Sequence, residues 1–254
     1  VMLLSKQTKV IAAFDHRDIF IDPDPDPAKS FTERKRLFAL ARSSWKDYKT
    51  ALISKGGGVF SRSEKSIVLS DEICAMTGLN TKSATPNELL KALLQSEADL
   101  LWFGGICTYV RATTETDVGA GDRANDIIRV TAKELKFKMV GEGANLGMTQ
   151  KARIEFAQNG GRINTDAVDN SAGVNSSDLE VNIKIALGSV EAANKLTRKE
   201  RNKFLAKMTT QVASLVLRNN IQQTLSITLA EFRGIDEIGF QQRLMRSLEK
   251  RNLL

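Results

Sequence analysis

Apolar residues in this chain follow two rhythms. Through about residue 176 they come in short runs separated by stretches of helical period. From Ser177 onward they recur every three or four positions, as in Leu179, Ile183 and Leu187. The first rhythm predicts alternating strands and helices, the pattern of a doubly wound α/β domain. The second predicts an all-helical segment over residues 177–254.

The first run, Lys9 to Phe14, has the length and apolarity of a buried parallel strand, ending at Asp15. Three prolines in Asp22 to Pro27 exclude helix and central strand, so an extended loop is expected there. Ser30-Phe31-Thr32-Glu33 reads as a capping box opening a helix to about Leu40. Gly56-Gly57-Gly58 is a flexible turn, and Ser66 to Leu69 a short strand or extended segment. Thr85-Pro86-Asn87-Glu88 is a second capping box with proline at the first helical position, predicting a helix to about Ser96.

A strand is expected over Ala98 to Phe103, ending at Gly104-Gly105, and a helix over Asp122 to Leu135. Lys136 to Val140 is the next strand, and Thr149 opens a helix that Gly160-Gly161 ends. Arg162 to Thr165 is a further short strand. In the helical part, Thr197 to Glu200 is a third capping box, heading a stripe through Phe204, Met208, Val212, Leu215, Ile221 and Leu225. That stripe reads as core or domain contact, and Ile238 to Leu254 as a last amphipathic helix.

Two loops carry the candidate chemistry. Gly141-Glu142-Gly143-Ala144-Asn145 follows a strand, and Asn170-Ser171-Ala172-Gly173-Val174 follows about twenty-five residues later. Glycine and alanine let a backbone lie close to a ligand, and asparagine offers both a donor and an acceptor. Two such loops in succession suggest the mouth of an open sheet, where α/β folds bind nucleotides. Asp15, at a strand end, has two readings: an acceptor for ribose hydroxyls, or a turn residue. His16, the single histidine, reads as a surface neighbour of Asp15.

Charge and composition narrow the classes. Lysine and arginine total 37 against 30 acidic residues, a formal charge of +7. The clusters at Arg34-Lys35-Arg36 and Lys195 to Lys203 lack interleaved aromatics, which favours a solvated surface over a nucleic-acid platform. No apolar run approaches the roughly 18 residues of a membrane span, and the start lacks a secretory pattern. Cys74 and Cys107 form no CxxC pair, so no zinc site or disulfide framework is expected, and a reducing cytoplasm is the default.

Taken in order, several segments resemble the glutamate dehydrogenases, and within them the very large NAD-dependent bacterial class. Val10 to Pro23 resembles the second strand of the cofactor domain with its turn, and Asp99 to Gly105 the strand whose tip passes the nicotinamide ribose. Val140 to Ala152 resembles the Glu-Gly-Ala-Asn motif and its helix, and Asp166 to Glu180 the motif centred on Asn-Ala-Gly-Gly. Ser30 to Ile67 resembles a part particular to the large class. The resemblance spans about residues 1–187.

It implies a Rossmann-like NAD-binding domain over residues 1–176, then helices over 177–254. It implies NAD as cofactor, L-glutamate and 2-oxoglutarate as substrate and product, no nucleic-acid partner, and a homo-oligomeric parent enzyme. Asp15 would hold the adenosine ribose. Gly104, Gly143 and Ala172 would let the backbone approach the cofactor. Asn145 would meet the nicotinamide-side ribose, Asn170 the carboxamide, and Ser177 the distal carboxylate of the substrate.

The second motif departs from the family as Asn170-Ser171-Ala172-Gly173, and Asp178 replaces an aromatic. The Gly-rich phosphate turn and the catalytic Lys and Asp of the family have no counterpart in this sequence. Both ends look cut, and Val1 to Lys6 resembles the helix after the missing turn. On that basis the chain alone is expected to be inactive. The competing expectation is a non-catalytic α/β module that binds a protein or anionic partner through its basic helical tail. A third keeps the fold and changes the substrate to another amino acid.

Overall fold

A computed structural model describes residues 2–105 and 107–253, and the expected helix over Val1 to Lys6 lies partly outside them. Within the described part, residues Met2–Leu4 form a single 3-10 turn. The chain divides into two compact units, residues 1–141 with 146–164, and residues 142–145 with 165–254.

In the first unit, β1 (Ala12–Phe14) and β2 (Asp18–Ile21) form an antiparallel hairpin, with Ala13 opposite Phe20. The expected buried parallel strand is therefore corrected: β1 is half-buried and antiparallel. The reason lies at Asp15, whose carboxylate accepts the backbone N–H groups of Arg17 at 2.7 Å and Asp18 at 2.9 Å and turns the chain back. Helix α1 (Pro27–Ala39) starts earlier than predicted. Asp26, not Ser30, caps it, accepting from Ala28 N at 2.9 Å and Lys29 N at 3.0 Å, and Pro27 takes the first helical position. Glu33 is buried instead, gripping Arg36.

Strand β3 (Gly58–Ser61) pairs antiparallel with β2 and completes a sheet of order β1-β2-β3. The short strands β4 (Ile67–Val68) and β5 (Ser83–Ala84) flank α2 (Asp71–Thr77). Helix α3 (Pro86–Leu94) begins at the predicted Thr85–Glu88 box, with both reciprocal bonds present. Ile19, Ile21, Ile67, Ile73, Leu89 and Leu90 close over one another as the core of this half.

Strand β6 (Leu100–Phe103) matches expectation, and β7 (Val110–Arg111) and α4 (Asp117–Ala120) follow. The helix expected over Asp122 to Leu135 does not form. In its place stand a 3-10 turn at Arg123–Asn125, the strand β8 (Val130–Thr131) and another turn at Ala132–Glu134. Tertiary partners override the helical period here. Asp122 accepts from Thr108 N at 2.9 Å, buried Arg129 donates to Thr108 O at 2.9 Å, and Val130 pairs in parallel with Val110.

Strand β9 (Met139–Glu142), helix α5 (Gln150–Gln158) and strand β10 (Arg162–Ile163) make a parallel β-α-β crossover, in a sheet of order β10-β9-β6. Thr149 caps α5 as predicted, accepting from Ala152 N at 3.1 Å, and Gly160 ends it at a φ of 90°. Phe103, Val110, Val140, Met148, Ala152 and Phe156 form the second core.

Beyond the end of β9, the regular elements of the second unit are helices joined by short turns. Helix α6 (Asp166–Asp169) is one turn, and α7 (Val174–Ala192) begins ahead of the expected Ser177. Helix α8 (Arg198–Arg233) starts at the predicted Thr197–Glu200 box, and α9 (Ile238–Lys250) ends short of Leu254. The stripe read as core is corrected. Phe204, Leu215, Ile221 and Leu225 lie exposed, Met208 and Val212 half-buried, and Val216 is the buried residue of α8 among the described residues. A long helix packed on α7 buries a seam, and the rest of its apolar surface faces outward.

Candidate binding site

The two asparagine loops meet inside the second unit. Beyond β9 the chain runs through half-buried Gly143 and buried Ala144 to Asn145. Glu142, fully buried, donates its backbone N–H to Asp169 Oδ2 at 3.1 Å, which ties the first loop to the end of α6. Asn170 caps α6, its N–H donating to Asp166 O at 2.7 Å. Its Nδ2 then donates to Asn145 Oδ1 at 2.7 Å, and its Oδ1 accepts from Gly173 N at 3.1 Å.

The bonding leaves a defined surplus. Asn145 Oδ1 is taken by Asn170, and Asn145 Nδ2 has no hydrogen-bond partner among the described residues. Asn170 retains one amide hydrogen after donating to Asn145. Both side chains are half-buried, so these neutral donors reach solvent from a held position. The backbone turns sharply just past them, since Leu146 has a φ of 60°, a left-handed conformation that a bulky side chain seldom adopts.

Of the other sequence-predicted residues in this unit, Ala172 and Ser177 are exposed, the latter on the first turn of α7 beside Asp178. In the first unit, Asp15 uses one carboxylate oxygen to hold the hairpin turn, and its other oxygen has no hydrogen-bond partner among the described residues. Gly104 is exposed at the end of β6, where a Cβ would meet only the Trp102 ring, at 3.9 Å, and one at Gly105 would meet nothing. That open backbone can accommodate a flat group. Near His16, Arg17 Nε donates to its Nε2 at 3.0 Å.

Three contributors escape sequence reasoning. Asp169 acts through an oxygen on Glu142 N, Gly173 acts through its backbone N–H, and Asn220 donates to Val168 O and Ser171 Oγ, each at 2.7 Å. Gly173 stood in the motif without an assigned role; Asn220 has no local signal, lying mid-helix in α8. The basic cluster of the competing reading is partly neutralised, because Glu191 pairs with Arg198 at 2.6 Å and Arg201 at 3.7 Å. Among the described residues no group of three or more His, Cys, Asp and Glu is placed to hold a metal, and no helix is long and apolar enough to cross a membrane.

Comparison with known proteins adds a family. The model for the bacterial NAD-glutamate dehydrogenase catalytic domain matches residues 1–230. The chain is 52% identical over 253 residues to the NAD-specific glutamate dehydrogenase of Pseudomonas aeruginosa, covering 100% of this chain and 16% of that protein. It is 50% identical over 248 residues to the enzyme of that name from Halomonas elongata, covering 98% of this chain and 15% of the relative. With the Mycobacterium tuberculosis protein of that name the figure is 52% over 229 residues, covering 87% and 14%.

Proposed function

This chain belongs to the bacterial NAD-glutamate dehydrogenase family, and we propose that it supplies the cofactor-binding part of such an enzyme. In this reading residues 1–176 form a Rossmann-like NAD-binding domain and 177–254 a helical segment of a cytoplasmic, homo-oligomeric parent. The parent reaction converts L-glutamate and water, with oxidised NAD, into 2-oxoglutarate, ammonium, NADH and a proton. The bound nicotinamide supplies the hydride acceptor.

The observation that carries the reading is the 2.7 Å bond between Asn170 and Asn145, with amide hydrogens left over on both. Such a pair suits the ring's carboxamide oxygen and the adjoining ribose hydroxyls. It adds no charge beside a ring that is cationic when oxidised. A pair of amides already bonded to each other also loses little freedom when a ligand arrives.

The other residues that the resemblance names each have chemistry suited to a dinucleotide or its substrate. Gly104, Gly143 and Ala172 present no bulky side chain, which favours close approach of the backbone. The spare oxygen of Asp15 can accept from a ribose 2′-hydroxyl and would repel a 2′-phosphate, favouring NAD over NADP. Ser177, exposed on α7, can donate to the distal carboxylate of glutamate.

The test is a fluorescence titration of NADH into the full-length protein and its Asn145→Ala and Asn170→Ala variants. Each substitution is expected to weaken NADH binding by about tenfold, the value of one or two positioned hydrogen bonds. Wild-type affinity in both variants would overturn the proposal.

A further inference from the structure

Asn170 projects from a turn that cannot hold itself. Helix α6 is a single turn, too short to be stable alone, and its last carbonyls have no partner within the helix. The turn is held from fifty residues away. Asn220, half-buried on the long helix α8, donates through Nδ2 to Val168 O at 2.7 Å and to Ser171 Oγ at 2.7 Å. Ser171 in turn donates through Oγ to Val168 O at 2.7 Å. Both amide hydrogens of Asn220 are therefore spent on one turn.

The placement of these bonds matters. Val168 lies two residues before Asn170 and Ser171 one residue after it, so the clamp grips the backbone on both sides of Asn170. Asn170 then reaches Asn145 Oδ1 at 2.7 Å. The Ser171 hydroxyl is the atom that lets the clamp close on the far side.

We infer that Asn220 is a positioning residue for the cofactor site: it fixes the Val168–Ser171 turn, and through it the Asn170–Asn145 amide pair. This rests on the functional reading above. Helix α8 is a suitable mount, because its 36 residues form one continuous rod capped at Thr197. Removing the donors would leave α8 standing, free the α6 turn and let the Asn170 amide wander.

The discriminating variant is Asn220→Asp, which keeps the size and shape of the side chain but turns the two donors into acceptors facing a carbonyl and a hydroxyl oxygen. In the full-length protein, NADH affinity is expected to fall about tenfold, and KM for NAD to rise more than kcat falls. In an Asn170→Ala background the same change is expected to alter NADH affinity by less than about twofold, because the group it positions is gone. Ser171→Ala, which removes one hydroxyl and little volume, is expected to weaken NADH binding about threefold.

Wild-type NADH affinity in Asn220→Asp and Ser171→Ala, with affinity lost in Asn170→Ala, would overturn the inference and leave the functional reading standing. An equal loss from Asn220→Asp in both backgrounds would also overturn it, since the effect would then be on the fold at large. Wild-type affinity in Asn145→Ala and Asn170→Ala would instead bring down the functional reading, and this inference with it.

Discussion

Gly173 and Asn170 are so close that no side chain fits between them: a Cβ on Gly173 would lie 2.5 Å from Asn170 Oδ1 and 3.0 Å from its Nδ2. The backbone of Gly173 is right-handed helical, at φ −86° and ψ −49°, so alanine is conformationally welcome there. Gly173→Ala is therefore expected to leave thermal stability unchanged within about 1 kcal/mol, since only the end of one side chain has to move. The moved group is the Asn170 amide, and NADH affinity should fall by about three- to tenfold. Calorimetric melting beside an NADH titration separates the two effects; a stable variant with unchanged affinity would speak against a role for the amide.

Gly161 has the opposite character. A Cβ there would meet the Phe156 ring at 2.3 Å, and Phe156 is 3% exposed in the second core. A ring locked among Val140, Met148 and Ala152 has nowhere to go. Gly161→Ala should cost about 1–3 kcal/mol, the usual cost of overpacking, seen as a lower urea midpoint at unchanged slope.

Glu33 makes stability depend on acid. The Arg36 guanidinium, 2.6 Å away, is the main cause that holds its carboxyl below the ordinary 4.5, helped by Lys49 N–H and opposed by burial. Asp117 is likewise held below 3.8, first by Arg111 at 2.8 Å. A carboxyl depressed in the folded state stabilises fully above its unfolded value and loses that contribution as pH falls through the folded one. The melting temperature should therefore decline as pH drops below about 4.5 and keep declining beneath it. Glu33→Gln should cost about 2 kcal/mol at neutral pH, because it strips a buried acceptor from Arg36, and should flatten that acid limb. An acid limb of unchanged steepness in the variant would refute the assignment.

Capping explains most of what could be read in advance. The Thr85, Thr149 and Thr197 starts stand where expected because a cap is a bond between residues three apart. The same reasoning misled at Ser30, where Asp26 with Pro27 offered a stronger start four residues earlier. Over residues 122–135 the helical spacing was real, yet Thr108 and Val110 claimed Asp122, Arg129 and Val130 for a turn and a strand. The asparagines of the candidate site were visible through their motifs, whereas their bond to each other and the grip of Asn220 were not.

What the sequence determined alone is therefore local or inherited: the capped helix starts, the glycine-ended α5, the helical character from residue 177 onward, and the likeness to the large dehydrogenases. Only the tertiary structure decided that β1 runs antiparallel to β2, that residues 122–135 refuse a helix, and that Asn170 leans on Asn145. The physical reason is the range of the interactions. Caps and periodic faces are settled within a turn of helix, but pairing and side-chain hydrogen bonds are settled by partners tens of residues away, which no local pattern encodes.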